Sequence, residues 1–148
     1  MIAIGSDHAG YKLKAEIVKF LNEKGYEVKD LGTCDSSSVD YPDYGLAVAE
    51  AVKSGECEKG IIICGTGIGI SIAANKVHGI RAALCTDSFM ARASREHNDA
   101  NVLALGERVI GPGAAMDIVD TWLKAEFQGG RHGGRLDKIS AIEKKYSK

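Results

Sequence analysis

The hydrophobic pattern of the chain changes period repeatedly, and each change marks a predicted element. Ile2-Ala3-Ile4-Gly5 is a short apolar run that ends at Ser6-Asp7-His8, and it reads as a strand leading into a polar loop. Over residues 9–24 apolar side chains return at Leu13, Ile17, Phe20 and Leu21 in helical spacing, and Gly25 stops the run. Tyr26-Glu27-Val28-Lys29-Asp30-Leu31 alternates as a second strand, and the polar stretch 32–40 is a loop. Pro42 suits the first turn of a helix reaching about Ser54, with Leu46, Val48, Ala49 and Val52 on its inner side.

Gly60-Ile61-Ile62-Ile63-Cys64 then runs apolar without a break and opens into Gly65-Thr66-Gly67-Ile68-Gly69-Ile70. This predicts a buried strand that delivers a thiol to a glycine loop, with a helix from Ser71-Ile72-Ala73-Ala74-Asn75-Lys76 beyond it. Ile80-Arg81-Ala82-Ala83-Leu84-Cys85 is a fourth strand, and Asp87 caps a helix running toward His97. Asn101-Val102-Leu103-Ala104-Leu105 is a fifth strand, and Pro112 begins a helix through Ile118, Val119 and Trp122. Gly129-Gly130-Arg131-His132-Gly133-Gly134 breaks the chain before a last amphipathic, charged helix at about 136–146.

Strands and helices alternating through short links imply a mostly parallel sheet with helices on both faces, in one domain over residues 1–148. Ligands of such folds bind beyond the carboxyl ends of the strands, where Asp7, His8, Cys64 and the glycine loop fall. Charge narrows the classes of partner. With 19 basic against 20 acidic residues and no basic block beyond Glu143-Lys144-Lys145, the chain offers little to nucleic acid or a membrane surface. The chain begins directly on a strand, without a signal peptide or spanning helix, so it reads as cytoplasmic.

The four cysteines show no C-x-x-C pair and no metal-ligand spacing with the four histidines, so neither a disulfide scaffold nor a metal site is expected. Cys85 also ends an apolar run and reads as a small core residue. Cys64 differs through its glycine-rich sequel, where free backbone N–H donors and a helix N-terminus would favour a charged sulfur. The loop lacks the Gly-Lys-Ser/Thr of a Walker motif, misses the dinucleotide spacing G-x-G-x-x-G, and has no acidic residue placed for a ribose, so no nucleotide cofactor is expected. It is either an anion site or a tight strand-to-helix turn.

Other residues carry similar alternatives. Asp7 is a helix cap or a hydrogen-bonding carboxylate, with His8 a solvated loop residue or a cation beside the glycine loop. His97, with Asn98, sits at a helix end, where a histidine also stabilises the last carbonyls. Arg131 and Arg135, flanked by glycines, either converge on a phosphate or form a solvated hinge. A thiolate, an oxyanion turn, a histidine and clustered arginines together suggest a small phosphorylated substrate and proton abstraction beside a carbonyl. An aldose–ketose isomerase needs no cofactor for this. The rival chemistry is a thiol hydrolase or acyl transferase with Cys64 as nucleophile.

Gly5-Ser6-Asp7-His8-Ala9-Gly10, Asp40-Tyr41-Pro42, the Ile63–Gly69 loop with Ala73, Asn75 and Lys76, Arg95-Glu96-His97-Asn98 and Gly130-Arg131-His132 together resemble the type B ribose-5-phosphate isomerases. The resemblance runs from the first strand to the last helix. It implies a three-layer α/β/α sandwich with a five-stranded parallel, Rossmann-like sheet, in a homodimer whose active sites lie between subunits, with the C-terminal helix at the interface and a dimer of dimers open. It implies interconversion of ribose 5-phosphate and ribulose 5-phosphate in the pentose phosphate pathway. Cys64 matches the base, Thr66 and the backbone of Gly65, Gly67, Ile68 and Gly69 the enediolate-stabilising groups, and His97 the acid for ring opening. Asp7 and Tyr41 match groups near the sugar hydroxyls or ring oxygen, Asn98 a substrate contact, and His8, Arg108, Arg131 and Arg135 the phosphate set, some of it from the partner subunit. Another branch uses a glutamate where this chain has Ile70, so the cysteine branch is indicated. Allose 6-phosphate or galactose 6-phosphate is the alternative substrate, and a non-catalytic sugar-phosphate binding module the alternative role.

Overall fold

The computed structural model describes residues 1–147. Its elements are β1 (Ile2–Ser6), α1 (Tyr11–Glu23), β2 (Val28–Asp30), α2 (Tyr41–Lys53), β3 (Lys59–Cys64), α3 (Ile68–Ala74), β4 (Ala82–Leu84), α4 (Ser88–Glu96), β5 (Val102–Gly106), α5 (Pro112–Lys124) and α6 (Arg131–Lys145). The five strands form one all-parallel sheet in the order β2-β1-β3-β5-β4. β5 therefore lies between β3 and β4, which leaves β4 as a three-residue edge and sets Cys64 opposite Gly106. The expected three-layer sandwich is observed.

Alternation along the strands decides the layers. Ile61 and Ile63 join Ile2, Ile4, Leu103 and Leu105 under α1, α4 and α5, with Trp122 fully buried among them. Ile62 and Cys64 face the other way, toward Val48, Ala49 and Val52 of α2 and Ile70 and Ala74 of α3. Each large side chain so buried contributes about 2–3 kcal/mol. Lys14 is buried on α1 and reaches Asp30 of β2 at 2.6 Å, which ties helix to sheet edge. Asp87 caps α4 as expected, accepting the Met90 N–H at 2.8 Å.

Four expectations need correction. Leu46, expected on the inner side of α2 with Val48, Ala49 and Val52, is exposed. The last helix starts at Arg131, not near residue 136, because the break is confined to Gly129 and Gly130 with φ of +67° and +57°. Gly133 and Gly134 continue that helix. Asp7 is not the cap of α1, whose cap position is Gly10; its Oδ1 accepts the Ala9 N–H at 2.9 Å within the loop. Gly69 lies inside α3, so the loop proper is Gly65-Thr66-Gly67. Among the described residues no helix is long and apolar enough to cross a membrane.

Candidate active site

The connection after β1 leads outward to β2, while that after β3 leads to the other half of the sheet. The loops after these two neighbouring strands therefore diverge, and a cleft opens between them. It encloses about 420 Å³ and is lined by Asp7, His8, Tyr41, Cys64, Gly65, Thr66, Ile68, Gly69 and Arg108. Nine of the residues singled out in the sequence thus converge on one chamber.

Cys64 is only 5 % exposed, and its Sγ accepts the Gly67 N–H at 3.1 Å. A sulfur bearing charge accepts such a bond more strongly than a neutral thiol does. Gly67 reaches that position with φ +80°, and a Cβ there would lie 2.5 Å from Leu84 Cδ1 and 2.9 Å from the Leu105 carbonyl carbon. Only glycine serves this turn. The Ile68 N–H is donated to Thr66 Oγ1 at 3.1 Å, which leaves the threonine hydroxyl hydrogen free for another acceptor. Two of the loop's backbone donors are thus committed to Cys64 and Thr66, while the first-turn N–H groups of Gly69 and Ile70 have no intrahelical acceptor.

β5 supports this loop from the adjacent strand. The Glu107 N–H is donated to the Cys64 carbonyl and the Arg108 N–H to the Gly65 carbonyl, both at 3.0 Å. Glu107 Oε1 also accepts the Leu13 N–H at 2.7 Å, joining the start of α1 to the same loop. His8 Nδ1 accepts the Val39 N–H at 3.2 Å, so Nε2 carries the proton of the neutral ring. Past His8 and Arg108 the cleft continues into a hollow of about 380 Å³ lined also by Tyr11, Lys12, Ser36 and Glu107. That end is cationic.

The remaining candidates lie elsewhere. His97 ends α4 and stacks on His132 of α6, centroids 4.4 Å apart and planes at 15°. His132 is buried, and that burial, with His97, Arg131 and Arg135 beside it, holds its imidazole below the ordinary histidine range. Arg131 and Arg135 are one helical turn apart on α6 and share a face. Asn98 borders the hollows beside β4. This group sits where β5 begins, whereas Cys64 and Arg108 sit where it ends, so about 13 Å of strand at ~3.3 Å per residue separates the two. Among the described residues no three His, Cys, Asp or Glu side chains are grouped as metal ligands.

The sequence matches the family model of the ribose/galactose isomerases over residues 2–139. The chain belongs to the ribose/galactose isomerase family. It is 56 % identical over 144 residues to ribose-5-phosphate isomerase B of Escherichia coli (strain K12), 97 % of each chain being covered. It superposes on the structure of Clostridium thermocellum ribose-5-phosphate isomerase B with a TM-score of 0.98 and 74 % identity, covering 99 % of both chains. A ribose-5-phosphate isomerase B from Mycoplasma genitalium, solved with bound ribulose-5-phosphate, matches with a TM-score of 0.93 and 46 % identity over 97 % of this chain and 95 % of that one. Within the family this isomerase is of the type B ribose-5-phosphate kind.

Glu107, which no motif in the isomerase's sequence marks, joins the cleft in the structure. Its signal was its place directly after a strand end, beside the residue that the family resemblance did mark, Arg108. Lys12 is unmarked too, because its helical spacing reads as a solvated face.

Proposed function

We propose that this isomerase interconverts D-ribose 5-phosphate and D-ribulose 5-phosphate through an enediolate, with Cys64 as the base. The single observation that carries the reading is the buried Cys64 sulfur at the end of β3, bonded to the Gly67 N–H and opening on a cleft with a cationic end. The thiolate takes the proton from C2 of the open-chain aldose and returns it to C1, the reverse reaction using the same path. The Thr66 hydroxyl and the first-turn N–H groups of α3 stabilise the charge that develops on the sugar oxygens. Asp7 accepts hydrogen bonds from sugar hydroxyls, Tyr41 donates to or accepts from them, and His8 and Arg108 hold the phosphate.

Opening the furanose ring needs an acid, the role proposed for His97 with Asn98 beside it. In a single chain these two lie at the opposite end of β5 from Cys64. The reading therefore places a second copy against the β4 edge, so that its His97, Asn98, Arg131 and Arg135 complete the first copy's cleft. Exposed apolar residues along that side, Phe89, Met90, Ile139 and Ile142, support a homodimer there, with α6 at its boundary.

Purified Cys64→Ala is expected to lose turnover of ribose 5-phosphate yet still bind the sugar phosphate; undiminished turnover overturns the assignment of the base. The hollow beyond His8 and Arg108 favours a second reading, in which a six-carbon sugar phosphate is turned over with its phosphate nearer Lys12. Comparing turnover on five- and six-carbon aldose phosphates separates the two.

A further inference from the structure

Among the described residues Asp99 is the one non-glycine residue in the left-handed region, with φ +45°. It follows His97 and Asn98 directly, at the turn where α4 ends. The last helical N–H groups run back normally, from His97 to the Ala93 carbonyl at 2.8 Å and from Asp99 to the Arg95 carbonyl at 3.2 Å. The Ala100 N–H closes the helix end on the Ser94 carbonyl at 2.9 Å, and the Glu96 carbonyl accepts the Gln128 N–H at 3.0 Å. Beyond the helix, the carbonyls of residues 98–100 are each held by an arginine. Arg81 gives Nε to the Asn98 carbonyl and Nη2 to the Asp99 carbonyl, both at 2.9 Å, and Arg95 gives Nη1 to the Ala100 carbonyl at 2.8 Å.

The Asp99 carboxylate joins both cations, Oδ1 accepting from Arg95 Nη1 at 2.9 Å and Oδ2 from Arg81 Nη2 at 3.5 Å. Arg81 is itself fixed, because its N–H is donated to Asn101 Oδ1 at 2.8 Å and its carbonyl accepts the Asn101 N–H at 3.1 Å. By contrast, among the described residues neither the His97 nor the Asn98 side chain makes a hydrogen bond, and His97 has only its stack on His132. The directions of these two side chains are set by the backbone that carries them. A helix end closed by such backbone bonds most often carries glycine at the left-handed position; here an aspartate takes it and directs its carboxylate to the two arginines.

We propose that Arg81 and Asp99 are positioning residues for ring opening, clamping the peptides of residues 98–100 so that His97 and Asn98 meet the sugar ring in one geometry. This rests on the reading of His97 as the ring-opening acid. The clamp acts on the cyclic substrate and not on the proton transfer at Cys64, which is the basis of its test.

Ribulose 5-phosphate is open-chain, since the hydroxyl that would close a five-membered ring is esterified. Exchange of its C1 hydrogen with deuterium oxide, followed by NMR, therefore reports Cys64 without ring opening, whereas turnover of ribose 5-phosphate requires both. Asp99→Gly removes the carboxylate and accommodates the positive φ, so the fold is retained. It is expected to lower kcat on ribose 5-phosphate by about ten- to a hundredfold, the scale of a misplaced catalytic group, with melting temperature and C1 exchange at wild-type values. Arg81→Lys, which keeps the charge without the fork, should fall between wild type and Arg81→Met; it carries the same comparison if Asp99→Gly does not fold. Parallel loss of both rates would mean a merely structural role, and retention of both an idle clamp; either overturns the proposal. A His97→Ala enzyme that keeps wild-type turnover of ribose 5-phosphate, or a wild type that has neither rate, instead removes the underlying reading and the clamp with it.

Discussion

Gly106→Ala isolates how far the Gly65–Gly67 loop depends on a close approach between two strand ends. A Cβ at this position would lie 2.5 Å from the Thr66 carbonyl oxygen, 2.6 Å from its carbon and 2.9 Å from its Cα. Ordinary contact begins near 3.4 Å, so the Thr66 peptide must retreat by 3.4 − 2.5, or 0.9 Å. The loop cannot retreat freely, because the Glu107 and Arg108 N–H groups hold the Cys64 and Gly65 carbonyls. Gly106 has no positive φ, which removes backbone strain from the account and leaves overpacking, at about 1–3 kcal/mol. For a domain of this size that lowers Tm by about 2–12 °C. The same shift carries the Gly67 N–H, now 3.1 Å from Cys64 Sγ, toward the limit of a hydrogen bond. A displacement of ~1 Å at reacting groups lowers rates about a hundredfold. The assay is kcat on ribose 5-phosphate beside the melting temperature, with Gly113→Ala as control because nothing lies within 4 Å of a Cβ there. Wild-type kcat in Gly106→Ala, or an equal loss in Gly113→Ala, would refute the reasoning.

Two further outcomes follow from the titrating groups. His132 is held below its ordinary value of 6.5 by its burial and its cationic neighbours, so on acidification the unfolded state takes up this proton first. Its effect on stability is absent above that value, and stability falls as pH drops below it; His132→Gln should flatten this part of the slope in urea unfolding at about pH 7.5 and 5.5, and an unchanged slope would refute the assignment. The Cys85 thiol is pushed up to about 11, chiefly by burial, and Cys57 is raised by burial as well. Iodoacetamide at neutral pH should therefore label exposed Cys34 and reach Cys57 and Cys85 only on unfolding, as read by peptide mass spectrometry; native labelling of Cys85 at the rate of Cys34 contradicts this.

Local signals served well where local physics decides. Ile61-Ile62-Ile63-Cys64 reads as a buried strand and is one, buried on both faces, and Asp87 before an amphipathic run is the cap that the sequence suggests. They served poorly around Gly129–Gly134, where glycine content suggested a long break. Two left-handed residues complete the turn, and Gly133 and Gly134 are carried into α6 because the flanking Arg131 and the residues from Arg135 onward are good helix formers. Of the two alternatives for Asp7 the helix cap fails, because its short-range partner, the Ala9 N–H, precedes the helix.

The sequence by itself determined which segments are strands and helices, that they alternate into a parallel sheet, and that a thiol ends the third strand before a glycine turn. Those properties follow from hydrophobic period and from the conformations open to glycine and proline, which are set within a few residues. The order of the strands depends instead on which faces pack together across the whole chain, and no local pattern encodes it. Only the tertiary structure placed β5 beside β3, which brings Glu107 and Arg108 to Cys64. The same packing left His97, Asn98 and the α6 arginines at the far end of that strand, fastened by Arg81 and Asp99, whose partners lie up to 20 positions away in the chain.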